Sequence, residues 1–152
     1  TATTEIYTLS LHDALPIDGT ATWMGGPAYL RDTAIPAVRA AAAAAGRGAP
    51  RIAAGLPIVA TSRADDAREA AAKVFATYGT LPSYRAVLDQ EGASGPADVA
   101  IIGTEAEVEA RLRELSASGV TDFNAALFPV EGDPGAVDRT YELLAQLAGA
   151  GM

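Results

Sequence analysis

Arg51–Ala60, RIAAGLPIVA, constrains the fold of this chain more than any other segment. It is apolar almost throughout, with no alternation of polar residues. Such a run belongs to a strand covered on both faces, and strands of that kind occur in parallel sheets flanked by helices. Helical patterns stand on both sides of it, so the run predicts βαβ units, not a hairpin protein. The segment is too short, and too interrupted by Gly55 and Pro57, to cross a bilayer, which takes about 18 residues.

The neighbouring segments fit that order. Asp18–Trp23 is β-prone and ends at Gly25, Gly26 and Pro27. A helix follows over Pro27–Ala45, with Tyr29, Leu30, Ile35 and Val38 on its apolar face and Gly46 as its stop. Pro36 inside it should kink or break it. After the central strand, Thr61 or Ser62 can cap a helix that carries Ala67, Ala71, Val74, Phe75 and Tyr78 and stops at Gly79. A shorter helix covers Pro82–Gln90, and Glu91–Pro96 is a Gly-rich loop. Val99–Ile102 is a short apolar run. Thr104 and Glu107 form a capping box for a helix with Val108, Leu112 and Leu115 inward, ended by Gly119. Val120–Phe128 is another strand, and Ala136–Leu147 a last helix with Val137, Tyr141, Leu144 and Leu147 inward. At 152 residues the chain has the length of one domain.

Composition closes several functional classes. The net charge of −8 argues against nucleic acid and anionic membranes as partners. The absence of cysteine excludes disulfides, thiolate catalysis and Cys-based metal sites. A single histidine, His12, excludes a multi-histidine metal site, and no metal is expected. No basic segment followed by an apolar one stands at the N-terminus, so the expectation is a cytoplasmic protein. No G-x-G-x-x-G or P-loop occurs. Ser62 and Ser83 have no histidine partner for a triad. Asp65, Asp66, Glu105, Glu107 and Glu109 read as helix caps and solvated charge.

Position is the better guide. In parallel α/β folds, function gathers at the C-terminal ends of strands. Those ends are Thr22–Gly26, Ala60–Ser62 and Phe128–Gly132. Trp23 either offers its ring to a planar ligand or seals the top of the core. Arg139 either meets a phosphate or carboxylate or pairs with Asp138 or Glu142.

Residues 1–17, TATTEIYTLSLHDALPI, differ in composition from the rest. TLSLHDALPI resembles translated sequencing-adapter DNA, so a foreign segment is expected there, which would remove His12 from any mechanism. The other reading is a native strand, with Ile6, Thr8 and Ser10 alternating with Tyr7, Leu9 and Leu11.

From DGTATWMGGPAYL onward, residues 18–152 resemble the C-terminal part of the luciferase-like monooxygenases, nearest to members that work with the deazaflavin coenzyme F420. LPIVATSRADDAREAAAKVFATYGTLPSYRAVLDQEG, DVAIIGTEAEVEARLRELSASGVTDFNAALF and DRTYELLAQL carry the likeness in the same order. The resemblance implies the last part of a TIM (β/α)8 barrel, a fold of about 250 residues when complete. DGTATW then resembles strand 6, RIAAGLPIVA strand 7 and VTDFNAALF strand 8, with an excursion after strand 7. It implies an oxidoreductase that moves hydride between F420, or alternatively FMN, and a small organic substrate. Thr22, Trp23, Val59 and Thr61 would contact the cofactor. Trp23, Met24, Gly25, Tyr84 and Arg139 would face the substrate. The parent enzyme would be a homo-oligomer. Strands 1–5 have no counterpart here, nor does the phosphate-binding segment after strand 5. No histidine or carboxylate in 18–152 matches a family catalytic base. The chain alone is therefore expected to be inactive. The competing reading is a standalone flavodoxin-like α/β binding or interaction module.

Overall fold

The computed structural model describes residues 19–150. The segment 1–17, with its foreign or strand reading and His12, lies outside the described residues. Four strands, β1 Gly19–Trp23, β2 Arg51–Ala60, β3 Ile101–Gly103 and β4 Asp122–Leu127, form one sheet. The helices are α1 Pro27–Tyr29, α2 Ile35–Ala44, α3 Ala64–Val74, α4 Pro82–Gln90, α5 Pro96–Val99, α6 Glu105–Ser118 and α7 Ala136–Gly149.

All three pairings are parallel and all run through β2, as its apolar sequence requires. β1 pairs with Arg51–Gly55 and β4 with Ala53–Ile58. The two share Ala53–Gly55, so they occupy opposite edges of β2. β3 pairs with Ile58–Ala60, and it shares Ile58 with β4, which puts it on the β1 edge beyond the end of β1. β1, β2 and β4 thus advance in one direction without the order reversal of a doubly wound sheet. That counts against the flavodoxin-like module and fits consecutive barrel strands.

One face of β2, Ile52, Ala54, Leu56 and Ile58, is buried. The helix layer beside it contributes Val108, Leu112 and Leu115 from α6 and Leu143 and Leu147 from α7. The described residues cover the opposite face only near the C-terminal strand ends. Lower down, Ala21 and Asn124 are exposed and Ala53 half-buried.

Pro36 does not break its helix. A π-helical turn, Leu30–Ala34, joins α1 to α2. Pro36 has no N–H for the carbonyl four residues back. The ladder shifts by one residue just before it, with the Ile35 N–H donating to the Leu30 carbonyl, and the proline then sits in the first turn of α2, where its missing donor costs nothing.

Three expectations need correction. α3 starts after Arg63, not at a Thr61 or Ser62 cap, and ends at Val74, with a 3-10 turn over Ala76–Gly79 before α4. Val74 is 56% exposed, whereas Phe75 is buried. In α7 the inward stripe is Ala136, Thr140, Leu143 and Leu147, and Tyr141 is 66% exposed. The polar Thr140 belongs to the core because its hydroxyl accepts from the Ala60 N–H at 2.7 Å and donates to the Ala136 carbonyl at 2.6 Å. Thr140→Val should therefore cost about 1–3 kcal/mol, since it leaves the Ala60 amide buried without a partner. Chemical denaturation checks this, and an unchanged midpoint would refute it.

Candidate functional site

The expected site residues fall into two groups at the C-terminal ends of the strands. The first is aromatic. Trp23 ends β1, and its ring lies over Gly55 of β2, where a Cβ would come within 2.7 Å of ring carbon Cε3. Its indole meets Tyr78 edge-to-face at 5.6 Å and Phe75 at 6.2 Å. Tyr78 in turn meets Tyr84 at 5.1 Å, and Phe75 meets Phe128 at 5.7 Å. The excursion between β2 and β3 thus sends three rings onto the sheet face that the helix layer leaves open. The Trp23 Nε1–H is buried and has no acceptor among the described residues. Such a donor normally finds a partner when buried, so this atom marks a place where a ligand acceptor would be satisfied.

Beside Trp23 the backbone is unusual. Met24 has φ of 60°, the one non-glycine residue at positive φ among the described residues. That conformation costs about 1–2 kcal/mol for a residue with a Cβ. It is held by complete burial of the Met24 side chain and by its N–H, which donates to the Gly55 carbonyl at 3.0 Å.

The second group is polar. Thr61, Ser62, Arg63, Thr104, Gly132 and Arg139 border a cavity of about 390 Å³, with Glu105 and Asp133 completing it. The Thr61 hydroxyl donates to Asp133 at 2.6 Å, and Arg139 Nη2 donates to the same Asp133 oxygen at 2.5 Å and to the Ala60 carbonyl at 3.1 Å. Glu105 stands 4.0 Å from Arg139. Arg63 pairs with Asp66 at 2.8 Å. The ion-pair partners of Arg139 are therefore Asp133 and Glu105, across the strand ends, and not Asp138 or Glu142. Charges balance within this group, and an incoming anion would have to displace Asp133.

The Thr61 hydroxyl, then Arg139, hold the Asp133 carboxyl below the usual carboxylate range. A depressed carboxylate contributes stability above its unfolded value and loses it as pH falls through the folded one. Asp133→Asn should accordingly flatten the acid limb of a stability-against-pH curve. An acid limb of unchanged slope would show that Asp133 does not contribute to it.

The structure brings Trp23 and Tyr84 into one cluster through Tyr78, and Thr61 and Arg139 into another through Asp133. Thr22 donates to the Ala53 carbonyl at 3.4 Å and stays in the strand pairing. Val59 and Met24 are fully buried and Thr61 nearly so, while Gly25 is buried against Tyr29. Sequence reading missed Asp133, Phe75 and Tyr78 as parts of these groups, and Glu91 beside them. Asp133 was open to inference, because it lies in the loop after a strand end. Glu91 was not, since its partners are 62 and 63 residues away.

Comparison with known proteins now decides the family. The model of the luciferase-like monooxygenases matches residues 14–151. The chain belongs to that family. Among solved structures, a chain titled "F420-dependent secondary alcohol dehydrogenase in complex with an F420-acetone adduct" superimposes with a TM-score of 0.54 at 17% identity. The likeness covers 72% of this chain and 37% of that one, so the luciferase-like chain described here spans well under half the length of that protein. At such identity the likeness shows the fold, a partial luciferase-like barrel. No curated protein matches the sequence. No helix among the described residues of this luciferase-like chain is long and apolar enough to cross a membrane.

Proposed function

We propose that residues 18–152 are the C-terminal part of a flavin- or deazaflavin-dependent oxidoreductase, with F420 as the cofactor and FMN as the alternative, acting on a small organic substrate. One observation carries this reading. The described β strands send their C-terminal ends to one side, and there a buried Trp23 N–H without an acceptor among the described residues stands beside the left-handed Met24. A planar heterocycle with ring carbonyls is the kind of ligand that satisfies such a donor. The solved F420-dependent alcohol dehydrogenase of the same fold supports the choice of cofactor.

Bound there, the cofactor would supply the hydride chemistry, and the protein would supply placement and electrostatics. Thr22, Trp23, Val59 and Thr61 would form the cofactor side of the site. Of these, Val59 and Thr61 act from beneath, as the packed floor of the strand ends. Met24, Gly25 and Tyr84 would shape the substrate side. Arg139 would anchor an anionic group by exchanging Asp133 for it. The parent enzyme would be a cytoplasmic homo-oligomer, and the chain alone inactive. The first 17 residues would lie outside the domain. Their deletion is expected to leave the melting temperature of the domain unchanged.

The test is a titration of a full-length enzyme carrying this sequence with F420 and with FMN, read by cofactor fluorescence. Trp23→Ala should weaken binding by roughly ten-fold or more, the equivalent of about 1.4 kcal/mol for one lost buried hydrogen bond and ring contact. Unchanged affinity for both cofactors and for substrate would overturn the assignment of this strand end.

A further inference from the structure

Glu91 follows α4 at the far end of the excursion and sits in none of the groups described so far. Its carboxylate accepts from the Ala28 N–H at 3.3 Å and from the Tyr29 N–H. Both amides belong to the first turn after the strand end Trp23–Gly26. The fit is close on the third side as well. A Cβ on Gly26 would come within 2.6 Å of the Glu91 carboxyl carbon, so the carboxylate fits there because position 26 is glycine. A second link runs alongside, from the Thr33 hydroxyl to the Gln90 side-chain oxygen at 3.3 Å.

We propose that Glu91 is a positioning residue for the candidate ligand site: seated on the Ala28 and Tyr29 amides and against Gly26, it clasps the excursion onto the β1 turn and so fixes Met24 and Trp23 in place. This rests on the reading of that turn as the ligand-facing strand end. The physical need for a clasp comes from Met24. A left-handed non-glycine residue persists only where its surroundings over-determine it. The Met24 side chain and amide are fixed from the sheet side, and Glu91 fixes the chain just beyond. The clasp also holds the excursion, and with it Tyr78 and Tyr84, against Trp23.

The charged groups that act on Glu91 are Arg31 and Asp32 in the π turn, paired with each other at 2.6 Å. Burial pushes the Glu91 carboxyl above the usual carboxylate range, against the opposing pull of the Ala28 amide and Arg31, and Asp32 adds to the rise. The two amides are accepted by different oxygens, Oε2 for Ala28 and Oε1 for Tyr29, so Glu91→Gln, whose amide carries one oxygen and one NH2, keeps only one of the two hydrogen bonds and should loosen the clasp in part. Glu91→Ala removes both acceptors and should open it.

Trp23 is the only tryptophan in the chain, so emission excited at the red edge reports on it alone. In the 152-residue chain, Glu91→Ala should shift Trp23 emission to the red and raise its quenching by acrylamide, with helix and strand content unchanged. Glu91→Gln should fall between the wild type and Glu91→Ala. Gly26→Ala should reproduce Glu91→Ala, and the double variant should be no worse than Glu91→Ala alone, because removing the carboxyl makes room for the new methyl. Additive effects in that cycle would overturn the clasp. So would Trp23 emission and quenching unchanged in Glu91→Ala. Hydrogen exchange of the unmodified chain gives a reading that depends on no variant. The Ala28 and Tyr29 amides should be protected roughly ten-fold or more beyond open-chain rates, as two hydrogen-bonded amides are, and unprotected exchange at both would overturn the proposal. Cofactor titration remains a separate measurement. Absent F420 and FMN binding with an intact Trp23 response would remove the proposed function, while the clasp of the β1 turn would stand.

Discussion

Gly55→Val is expected to destabilise the chain by about 3 kcal/mol or more, although valine is the better strand former. Intrinsic preference points the other way. Glycine inside a strand costs about 0.5–1 kcal/mol, and a β-branched residue suits a pleated surface. Packing decides the sign. Gly55 pairs with Trp23 on one edge and with Asn124 on the other, so its backbone is fixed from both sides. A Cβ there would lie 2.7 Å from the Trp23 ring and 2.9 Å from the Thr22 carbonyl oxygen. The carbonyl belongs to the paired backbone and cannot retreat, so the indole must. Overpacking alone costs about 1–3 kcal/mol. Loss of the ring from its contacts with Phe75 and Tyr78 adds part of the roughly 3–5 kcal/mol that aromatic truncations cost. Against a total stability of about 5–15 kcal/mol for a domain, this is a large share. Denaturant unfolding and Trp23 emission measure it together. A Gly55→Val chain that kept both the midpoint and the emission maximum would show that the indole does not depend on this glycine.

The same glycine illustrates what a sequence discloses. Local signals were legible: the capping box of Thr104 and Glu107, the left-handed Gly46 and Gly119 stops, and the all-apolar β2. Each is set by residues within a few positions of one another. The phase of α7 was not legible, because hydrophobicity put Tyr141 inside and could not see that the Ala60 amide needs a hydroxyl from Thr140. Val74 was set on the inward face together with Phe75 in the same way, and only Phe75 is buried. Phe75 meets Trp23 of β1 and Phe128 just after β4, partners far away in the chain. For the candidate site, position at strand ends pointed to Trp23 and Thr61, and position near the start of the last helix to Arg139, but the carboxylates bonded beside them, Asp133 and Glu91, act across loops. Family resemblance supplied the barrel, which no spacing in a chain with three long strands could specify.

The second large effect is association of the chain with itself. Among the described residues, β1 and β4 pair only with β2, so each presents one unpaired row of N–H and C=O groups. Beside those rows the face bearing Ala21, Ala53 and Asn124 is uncovered. Open edges with an apolar face recruit other chains. The net charge of −8 opposes that recruitment, and its reach falls to about 10 Å at 0.1 M salt. Association is therefore expected to strengthen as salt rises, the reverse of an interface held by ion pairs. Sedimentation velocity at low and high salt reads this directly. Carboxylates placed on the open face, Ala21→Glu with Asn124→Glu, should restore a monomer while changing the unfolding free energy by no more than the ~0.5 kcal/mol typical of surface changes. In the proposed complete barrel the same two positions point into a closed interior, where unpaired charge costs several kcal/mol. The two substitutions should thus help the short chain and disable the long one. A short chain that is monomeric at every salt concentration without them would mean that its edges are already covered.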